Sequence, residues 1–300
     1  MSDLELLIAD IAQDRVSGAT ELLLRAIEVL RRLMSKPAQD RLKAAREICR
    51  AQPAMASLWN AALAAANEQG QPARFERFVQ RVQRASSALT RFTCQLFAEP
   101  DAPGHALRIG PLSLVTLSSS ASVRHALEGL ASTRSLRVAC AEGRPALEGR
   151  QMAATLAHVG ISVTLFPDAA IAEAVHDADA VVVGADAVAS EWFMNKVGTR
   201  MLAAAAVMVG LPVYVIASRD KFCAPALSPF IVPRDGAAQE IWDSPPSHVV
   251  VRNPYFERVP LELVVAVITD GGIMPAADVA AFCASLEPAT PPNLLRQLAR

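Results

Sequence analysis

Apolar residues recur at helical spacing through the first hundred residues of the chain. They fall on every third or fourth position between Gly18 and Met34, and again over Asp40–Arg50 and Pro53–Ala66. A longer stretch after Pro72 keeps this spacing through a series of large side chains, namely Phe75, Phe78, Val79, Val82, Leu89 and Phe92. Such spacing places one apolar face of a helix against a core. The pattern predicts a helical N-terminal domain over residues 1–104.

The pattern changes its period after Glu99–Gly104, where prolines and aspartates predict the domain boundary. Beyond that segment, short apolar runs alternate with helical stretches. The runs of strand length are Leu112–Leu117, Leu136–Cys140, Ile161–Phe166, Ala180–Val183, Pro212–Ala217, Val249–Val251 and Val264–Thr269. The helical stretches between them are Ser122–Leu130, Ala146–Val159, Ala169–His176 and Asn195–Val209.

This alternation predicts an α/β fold, with a Rossmann-like and mostly parallel sheet over residues 105–300. The strand-length runs are apolar on both faces, as expected of a sheet that helices cover on both sides. Ligands of such sheets bind beyond the carboxyl ends of the strands. The residues that follow each strand are therefore the candidates for a binding site.

Hydroxyl side chains follow the first predicted strand. Ser118, Ser119 and Ser120 lead directly into a predicted helix. Hydroxyls beside the free N–H groups of a helix N-terminus form a site for an anion such as a phosphate. The alternative interpretation is an ordinary helix cap with a polar turn.

Charged and polar residues follow later strands as well. Arg144 comes after the second strand and is of a type that grips phosphate, although a surface arginine fits the same position. Asp186 follows the strand Ala180–Val183, where a carboxylate beside apolar walls becomes an acid or base, or else a simple turn residue. Asn195 and Lys196 open the next predicted helix, Asn195 as its N-cap and Lys196 as a cation near the pocket.

Composition limits the partners. A net charge of -1 argues against a protein that binds nucleic acid directly. The apolar stretch Met201–Ala217 is divided by Gly210 and Pro212, so we expect no membrane span. The acids of the first five residues are unlike a signal peptide, and the five scattered cysteines fit a reducing compartment, which together predict a cytoplasmic location. Scattered cysteines and histidines predict no metal site, and the absence of G-x-G-x-x-G and phosphate-loop motifs predicts no cofactor.

Several segments together resemble a known family. Glu142–Arg150 is similar to an E-[TS]-R-P-x-x-[QE]-G-[RK] signature, and Val182–Asp186 and Asn195–Thr199 follow at the family's spacing. Asn253–Glu257 and Ile268–Gly272 resemble its C-terminal segments. The family is the superfamily of initiation factor 2B α/β/δ subunits, which also holds ribose-1,5-bisphosphate isomerase and methylthioribose-1-phosphate isomerase.

The resemblance implies a pocket for a small phosphorylated ligand between the two domains, and a homodimer or larger assembly built through the C-terminal domain. It implies that Asp186 is the catalytic aspartate, that Asn195 and Lys196 correspond to the pocket lysine and its neighbour, and that Arg144 lies near phosphate. Two departures stand out. Ser118 occupies the position of the isomerases' catalytic cysteine, and Gln52 replaces an arginine that grips substrate.

Three hypotheses follow. In the first, the protein binds a sugar or nucleotide phosphate and has lost most isomerase activity, because a serine hydroxyl ionises far less readily than a thiol. In the second, it is an active isomerase of an aldose 1-phosphate, in which Asp186 is the principal acid/base and Ser118 donates a hydrogen bond. In the third, the same fold carries unrelated chemistry on a phosphosugar or a CoA ester.

Overall fold

The computed structural model of the chain describes residues 3–14, 17–66, 72–98, 110–233, 235–286 and 291–299. The first part of the described chain is helical, as the hydrophobic spacing predicts. Its helices are α1 (Asp3–Gln13), α2 (Ala19–Leu33), α3 (Ala38–Ala51), α4 (Ala56–Ala66) and α5 (Pro72–Ala98). The predicted boundary at Glu99–Gly104 lies outside the described residues, so the division into domains at residue 104 stays a prediction.

Strands and helices alternate in the rest of the chain. The strands are β1 (Leu112–Thr116), β2 (Leu136–Ala141), β3 (Ser162–Phe166), β4 (Ala180–Gly184), β5 (Ala187–Val188), β6 (Trp192–Lys196), β7 (Val213–Ile216), β8 (Phe256–Pro260), β9 (Ala266–Thr269) and β10 (Gly272–Pro275). The helices are α6 (Ala121–Ala131), α7 (Glu148–His158), α8 (Thr199–Met208), α9 (Val279–Ser285) and α10 (Pro292–Ala299).

The main sheet has the strand order β10-β9-β7-β4-β1-β2-β3. All of its neighbouring strands are parallel except the pair β9 and β10 at one edge. A second, antiparallel sheet joins β5, β6 and β8 beside the carboxyl end of β4. The prediction of an α/β fold with a mostly parallel central sheet is confirmed.

The inner strands β1, β4, β7 and β9 bury side chains on both faces because helices cover both, whereas the edge strands β3 and β10 are largely exposed. Along β1, Leu114 belongs to the same hydrophobic cluster as Leu127 of α6, whereas Val115 belongs to another cluster with Leu202 of α8. Each face therefore has its own hydrophobic cluster. The two-sided burial explains why these strands are continuous apolar runs in the sequence.

Two helices connect the helical part of the molecule with the sheet. The first half of α5 packs in the helical core through Phe75 and Phe78, and its second half packs against the sheet through Leu89 and Phe97. Helix α10 returns to the helical core through buried leucines, including Leu295. The helical part is thus built from both ends of the described chain.

Three predicted elements differ from the structure. Val249–Val251 is not a strand, since it pairs with no neighbouring strand and Val250 is 83% exposed. Ala169–His176 lies within a 3₁₀ helix, Asp168–Asp177. The helix predicted to open at Asn195 begins at Thr199, because Asn195 and Lys196 continue β6 and pair with β8.

Helix α7 begins so close to β2 that only glycine fits at Gly149. A Cβ atom there would overlap the carbonyl oxygen of Ala141, the last residue of β2. We expect Gly149→Ala to lower the free energy of unfolding by about 1–3 kcal/mol, as overpacked sites do. Urea denaturation measures the change, and Gln151→Ala on the exposed face of the same helix is the control. Equal stabilities of the Gly149 variant and the wild type would contradict the packing.

Candidate active site between the sheet and the helical segment

The order of the strands changes direction between β1 and β4. From β1 the chain moves outward to β2 and β3, whereas β4 leads to β7 and β9 on the opposite side. A crevice opens where the connections diverge, beyond the carboxyl ends of these two strands, and ligands of open α/β sheets bind in such crevices. Ser118 follows β1 and Asp186 follows β4, so the topology brings both to this crevice.

The crevice forms a cavity, which the helical part of the chain covers from above. Its walls come from the residues after β1 and β4, the end of β6, the start of α7 and the start of α2. The lining residues are Ser17, Gly18, Ala19, Thr20, Met55, Ser118, Ser119, Ser120, Ala121, Ala146, Glu148, Ala185, Asp186, Asn195, Lys196, Lys221, Tyr255 and Phe256.

Two helix N-termini meet at this cavity. Helix α2 begins after Gly18, and α6 begins after Ser120, whose hydroxyl caps the helix by accepting from the Val123 N–H. The two starts are adjacent, since a Cβ on Gly18 would lie 3.7 Å from the carbonyl oxygen of Ser119. Unpaired N–H groups and the positive ends of two helix dipoles therefore face the same space. This arrangement favours an anionic group.

Lys196 adds a buried cation to the cavity. Its side chain is 3% exposed, and its Nζ lies 2.6 Å from Glu148 Oε1 and 4.6 Å from the centre of the Tyr255 ring. The contact with Glu148 is an ion pair, and the ammonium makes no hydrogen bond to a described residue. The ammonium therefore has N–H groups left for a ligand.

Ser118 shares the carboxylate that Lys196 contacts. Its hydroxyl donates to Glu148 Oε1 at 3.2 Å. The backbone of Ser118 has φ +70°, a left-handed conformation that costs a residue other than glycine about 1 kcal/mol or more. Strain of this kind persists where surrounding contacts fix the backbone, and here it turns the serine toward the cavity.

The carboxyl of Asp186 has a raised pKa. Burial raises this pKa from 3.8 to about 6, and the nearby ammonium of Lys221 opposes the shift. Its backbone is held on both sides, because its N–H donates to the Met194 carbonyl and its own carbonyl accepts from the Ala56 N–H at the start of α4. A carboxyl whose pKa lies near neutrality can both give and take a proton in one cycle.

The structure brings most of the predicted site residues together. Ser118, Ser119 and Ser120 line the cavity, and so do Asp186, Asn195 and Lys196. The side chain of Asn195 does not cap a helix as predicted but donates to the Thr199 hydroxyl at 2.9 Å.

Arg144 lies elsewhere. It is exposed and absent from the cavity wall, and its backbone N–H donates to the Asp168 carboxylate. This contact fixes the turn before α7 and leaves the guanidinium facing solvent. A role for Arg144 in ligand binding therefore stays a prediction that the geometry of the cavity does not favour.

Sequence reasoning missed Glu148, Lys221 and Tyr255. Glu148 is part of the Glu142–Arg150 signature, so the sequence indicates that it lies near the site. The sequence does not indicate that its side chain faces Lys196 and Ser118. Lys221 lies in a 3₁₀ turn after β7 with 3% exposure, and only the sheet order places it beside Asp186. Among the described residues, no cluster of histidine, cysteine, aspartate and glutamate has the arrangement of a metal site.

Gln52 lies next to the cavity and has a structural role. Its amide nitrogen donates to the carbonyls of Ile11 and Asp14 at 3.1 Å each, which ties the end of α3 to α1 and the residues after it. It lines a second hollow that shares Tyr255 and Phe256 with the first. The arginine expected from the resemblance is therefore replaced by a residue that holds two backbone segments together.

Comparison with known proteins agrees with this architecture. The model of the initiation factor 2 subunit family matches residues 5–276. The chain belongs to this family. Ribose 1,5-bisphosphate isomerase of Methanocaldococcus jannaschii is 32% identical over 146 residues, which are 47% of this chain and 47% of that protein. Methylthioribose-1-phosphate isomerase of Rhodopirellula baltica is 36% identical over 168 residues, 52% of this chain and 47% of that protein. The chain thus spans about half the length of these curated relatives.

Solved structures of eIF-2B proteins share the fold over nearly the whole chain. The translation initiation factor eIF-2B of Pyrococcus horikoshii OT3 superposes with a TM-score of 0.74 at 23% identity, covering 92% of this chain and 98% of that one. The tetrameric eIF2B-beta2-delta2 complex of C. thermophilum gives 0.69 at 17% identity, covering 94% and 93%. In the part of the chain that the structure describes, no helix is long and apolar enough to cross a membrane.

The raised pKa of Asp186 makes a prediction about stability. Between pH 3.8 and about 6 the folded state binds a proton at Asp186 that the unfolded state has lost. Stability therefore falls as the pH rises through this window, by up to about 3 kcal/mol, and is constant with respect to this group on either side. Asn does not titrate, so Asp186→Asn removes this dependence of stability on pH. The free energy of unfolding of the variant, relative to that of wild type, therefore rises from pH 3.8 to about 6.

Urea denaturation of both proteins from about pH 4 to about pH 7 measures the difference. Asp243→Asn, at an exposed aspartate, serves as the control and should leave the profile unchanged. If Asp186→Asn and wild type keep parallel profiles, the carboxyl titrates outside this window.

Proposed function

We propose that this protein binds a sugar or nucleotide phosphate in the cavity between the helical part and the sheet. The observation that carries the proposal is the convergence of two helix N-termini and the buried Lys196 ammonium on one cavity. Backbone N–H groups, serine hydroxyls and a cation are the groups that hold phosphate in proteins. The carboxylates of Glu148 and Asp186 on the other walls suit the hydroxyls of a sugar.

In this proposal, isomerase turnover is weak or lost because Ser118 stands in place of a thiol. Ser118 donates to Glu148, but an alcohol gives up its proton to a substrate far less readily than a thiol does. Loss of one acid/base group typically costs about 10²–10⁴-fold in rate. The protein would then act by binding its ligand rather than by converting it.

We also propose self-association through the C-terminal domain. The last turn of α8 exposes Val207 and Met208, the latter by 86%, and Met201 near its start is 46% exposed. Single exposed apolar residues are common on protein surfaces, but several on one helix form an apolar patch. Such a patch suits contact with a second copy of the chain. Light scattering of the gel-filtered protein tests this, and the mass of a single chain would contradict it.

A second candidate function is aldose–ketose isomerisation, favoured by the pKa of Asp186 at about 6. Such a reaction breaks the bond between C1 and the ring oxygen, moves a hydrogen from C2 to C1 and the hydroxyl proton from O2 to the ring oxygen, and leaves a carbonyl at C2, so no atom is gained or lost. Asp186 is suited to carry the transferred proton. The two isomerases similar to this chain make an aldose 1-phosphate the first substrate to test.

The phosphate site is tested by replacing its cation. We expect Lys196→Met to weaken the binding of inorganic phosphate by at least about tenfold, since it removes a charge-assisted contact. Isothermal titration calorimetry measures the affinity, and circular dichroism checks that the variant is folded. Lys43→Met, at an exposed lysine of α3, is the control. A Lys196 variant that binds phosphate as tightly as wild type would rule out this site.

The two candidate functions predict different effects of a thiol at position 118 on the rate of isomerisation. If the protein mainly binds, ribose 1,5-bisphosphate and methylthioribose 1-phosphate are converted slowly, and Ser118→Cys raises the rate by about 100-fold or more. If it is an isomerase already, wild type turns one of them over rapidly, Asp186→Asn abolishes that activity, and Ser118→Cys adds little. Ser119→Cys controls for a thiol placed one residue away. Rapid turnover that survives Asp186→Asn would contradict both assignments.

A further inference from the structure

Four arginines line a hollow between α4, the first half of α5 and the turn that follows β7, namely Arg74, Arg77, Arg81 and Arg219. We call this space the arginine hollow. It has a volume of about 210 Å³ and shares no lining residue with the cavity that holds Lys196. Among the described residues, no acidic side chain lies in its wall. Walls that carry charge of one sign concentrate the electric field in a cleft, so this space attracts anions.

The three arginines of α5 lie on one face of the helix. They occupy positions 74, 77 and 81, and residues three or four apart are neighbours on a helix surface. Arg77 and Arg81 are exposed, and neither makes a hydrogen bond or an ion pair with a described residue. The Arg81 guanidinium lies 5.4 Å from the centre of the Phe78 ring. Like charges at this spacing destabilise a helix, so their placement becomes favourable once an anion binds between them.

Arg219 completes the arginine hollow from the turn after β7. Its backbone N–H and its Nε donate to the Asp270 carboxylate at 2.6 Å and 3.2 Å, and its terminal nitrogens make no hydrogen bond to a described residue. Gly271 leaves room for the guanidinium, since a Cβ there would lie 2.9 Å from Arg219 Cζ. Asn60 ties the turn to α4 by donating to the Phe222 carbonyl at 2.9 Å. The guanidinium is therefore held in place with N–H groups left for a ligand.

We propose that the arginine hollow is a second anion site, which binds a diphosphate group. The inference goes beyond the proposed function, because it concerns a different space and different residues. Guanidinium groups remain charged at physiological pH and donate pairs of N–H groups that match the oxygens of a phosphoryl group. A diphosphate has more charge and more acceptor oxygens than a single phosphate. Arg77, Arg81 and Arg219 can therefore contact both of its phosphoryl groups together.

The size of the arginine hollow limits its ligand. Its volume of about 210 Å³ is below the range of about 300–1,000 Å³ that is typical of sites for drug-sized molecules. The hollow therefore suits a diphosphate with little attached to it. Its wall also includes apolar side chains, among them Phe78, Phe222 and Leu63, which suit a short alkyl end of an organic diphosphate.

Calorimetric titration with inorganic pyrophosphate tests the proposal. Wild type should bind pyrophosphate at two sites per chain. Arg77→Gln/Arg81→Gln should weaken one of these sites by at least about tenfold, because it removes two charge-assisted contacts. Inorganic phosphate should bind that same site at least about tenfold more weakly than pyrophosphate does. A parallel titration with methyl diphosphate identifies the source of the group: equal or tighter binding indicates the end of an organic ester, and weaker binding indicates free diphosphate.

Arg84→Gln/Arg91→Gln is the matched control. It removes the same charge from two exposed arginines of the same helix that do not line the arginine hollow, and Arg91 likewise lies over an aromatic ring. Glutamine is a good helix former, so both double variants should fold, which circular dichroism checks. The control should leave both sites intact. If it weakens pyrophosphate binding as much as Arg77→Gln/Arg81→Gln does, the effect is one of net charge and the site is overturned.

Lys196→Met separates this inference from the function proposed above. It should weaken the other pyrophosphate site and leave the arginine hollow unchanged. If wild type binds pyrophosphate only at the site that Lys196→Met removes, the inference is overturned and the proposed function stands. If wild type binds it only at the site that Arg77→Gln/Arg81→Gln removes, the inference stands and the proposed function fails. Equal affinity of the arginine hollow for phosphate and pyrophosphate would overturn diphosphate as its ligand.

Discussion

The buried ammonium of Lys196 is the charge around which the cavity is arranged. With 3% exposure it is almost completely removed from water, which costs several kcal/mol unless opposite charge compensates. Glu148 supplies that charge, and the face of the Tyr255 ring adds a weaker attraction. The ends of α2 and α6 add positive potential to the same space. The balance ties α7 to β6 and still leaves the cavity receptive to an anion.

The sheet makes this balance possible because it gathers residues that are far apart in sequence. Ser118 and Asp186 are 68 positions apart, yet β1 and β4 are neighbours, and the helical part closes the crevice above them. The small antiparallel sheet then carries Lys196 to the cavity on a strand rather than on a helix.

The sequence was most informative where one physical rule decides the outcome. The parallel sheet, and the placement of Ser118 and Asp186 at its carboxyl edge, follow from apolar runs of strand length and from the way such sheets are wound. Lys196 was expected in the cavity as part of a helix, but it arrives on β6, because pairing with the distant β8 overrides local preference. The direction of Glu148 depends on the contact between Gly149 and Ala141, and the exposure of Arg144 on a turn held by Asp168, neither of which leaves a periodic signal.

Helix α10 has a consequence for the order of folding. It lies in the hydrophobic core of the helical part, and the Arg46 side chain of α3 donates to its Gln297 carbonyl. During synthesis α1 to α4 leave the ribosome long before α10, so their core stays incomplete until the whole sheet has been made. The helical part is synthesised first, but its hydrophobic core is completed last. The helical roof of the cavity is therefore completed only after the sheet beneath it, so formation of the cavity depends on the synthesis of α10.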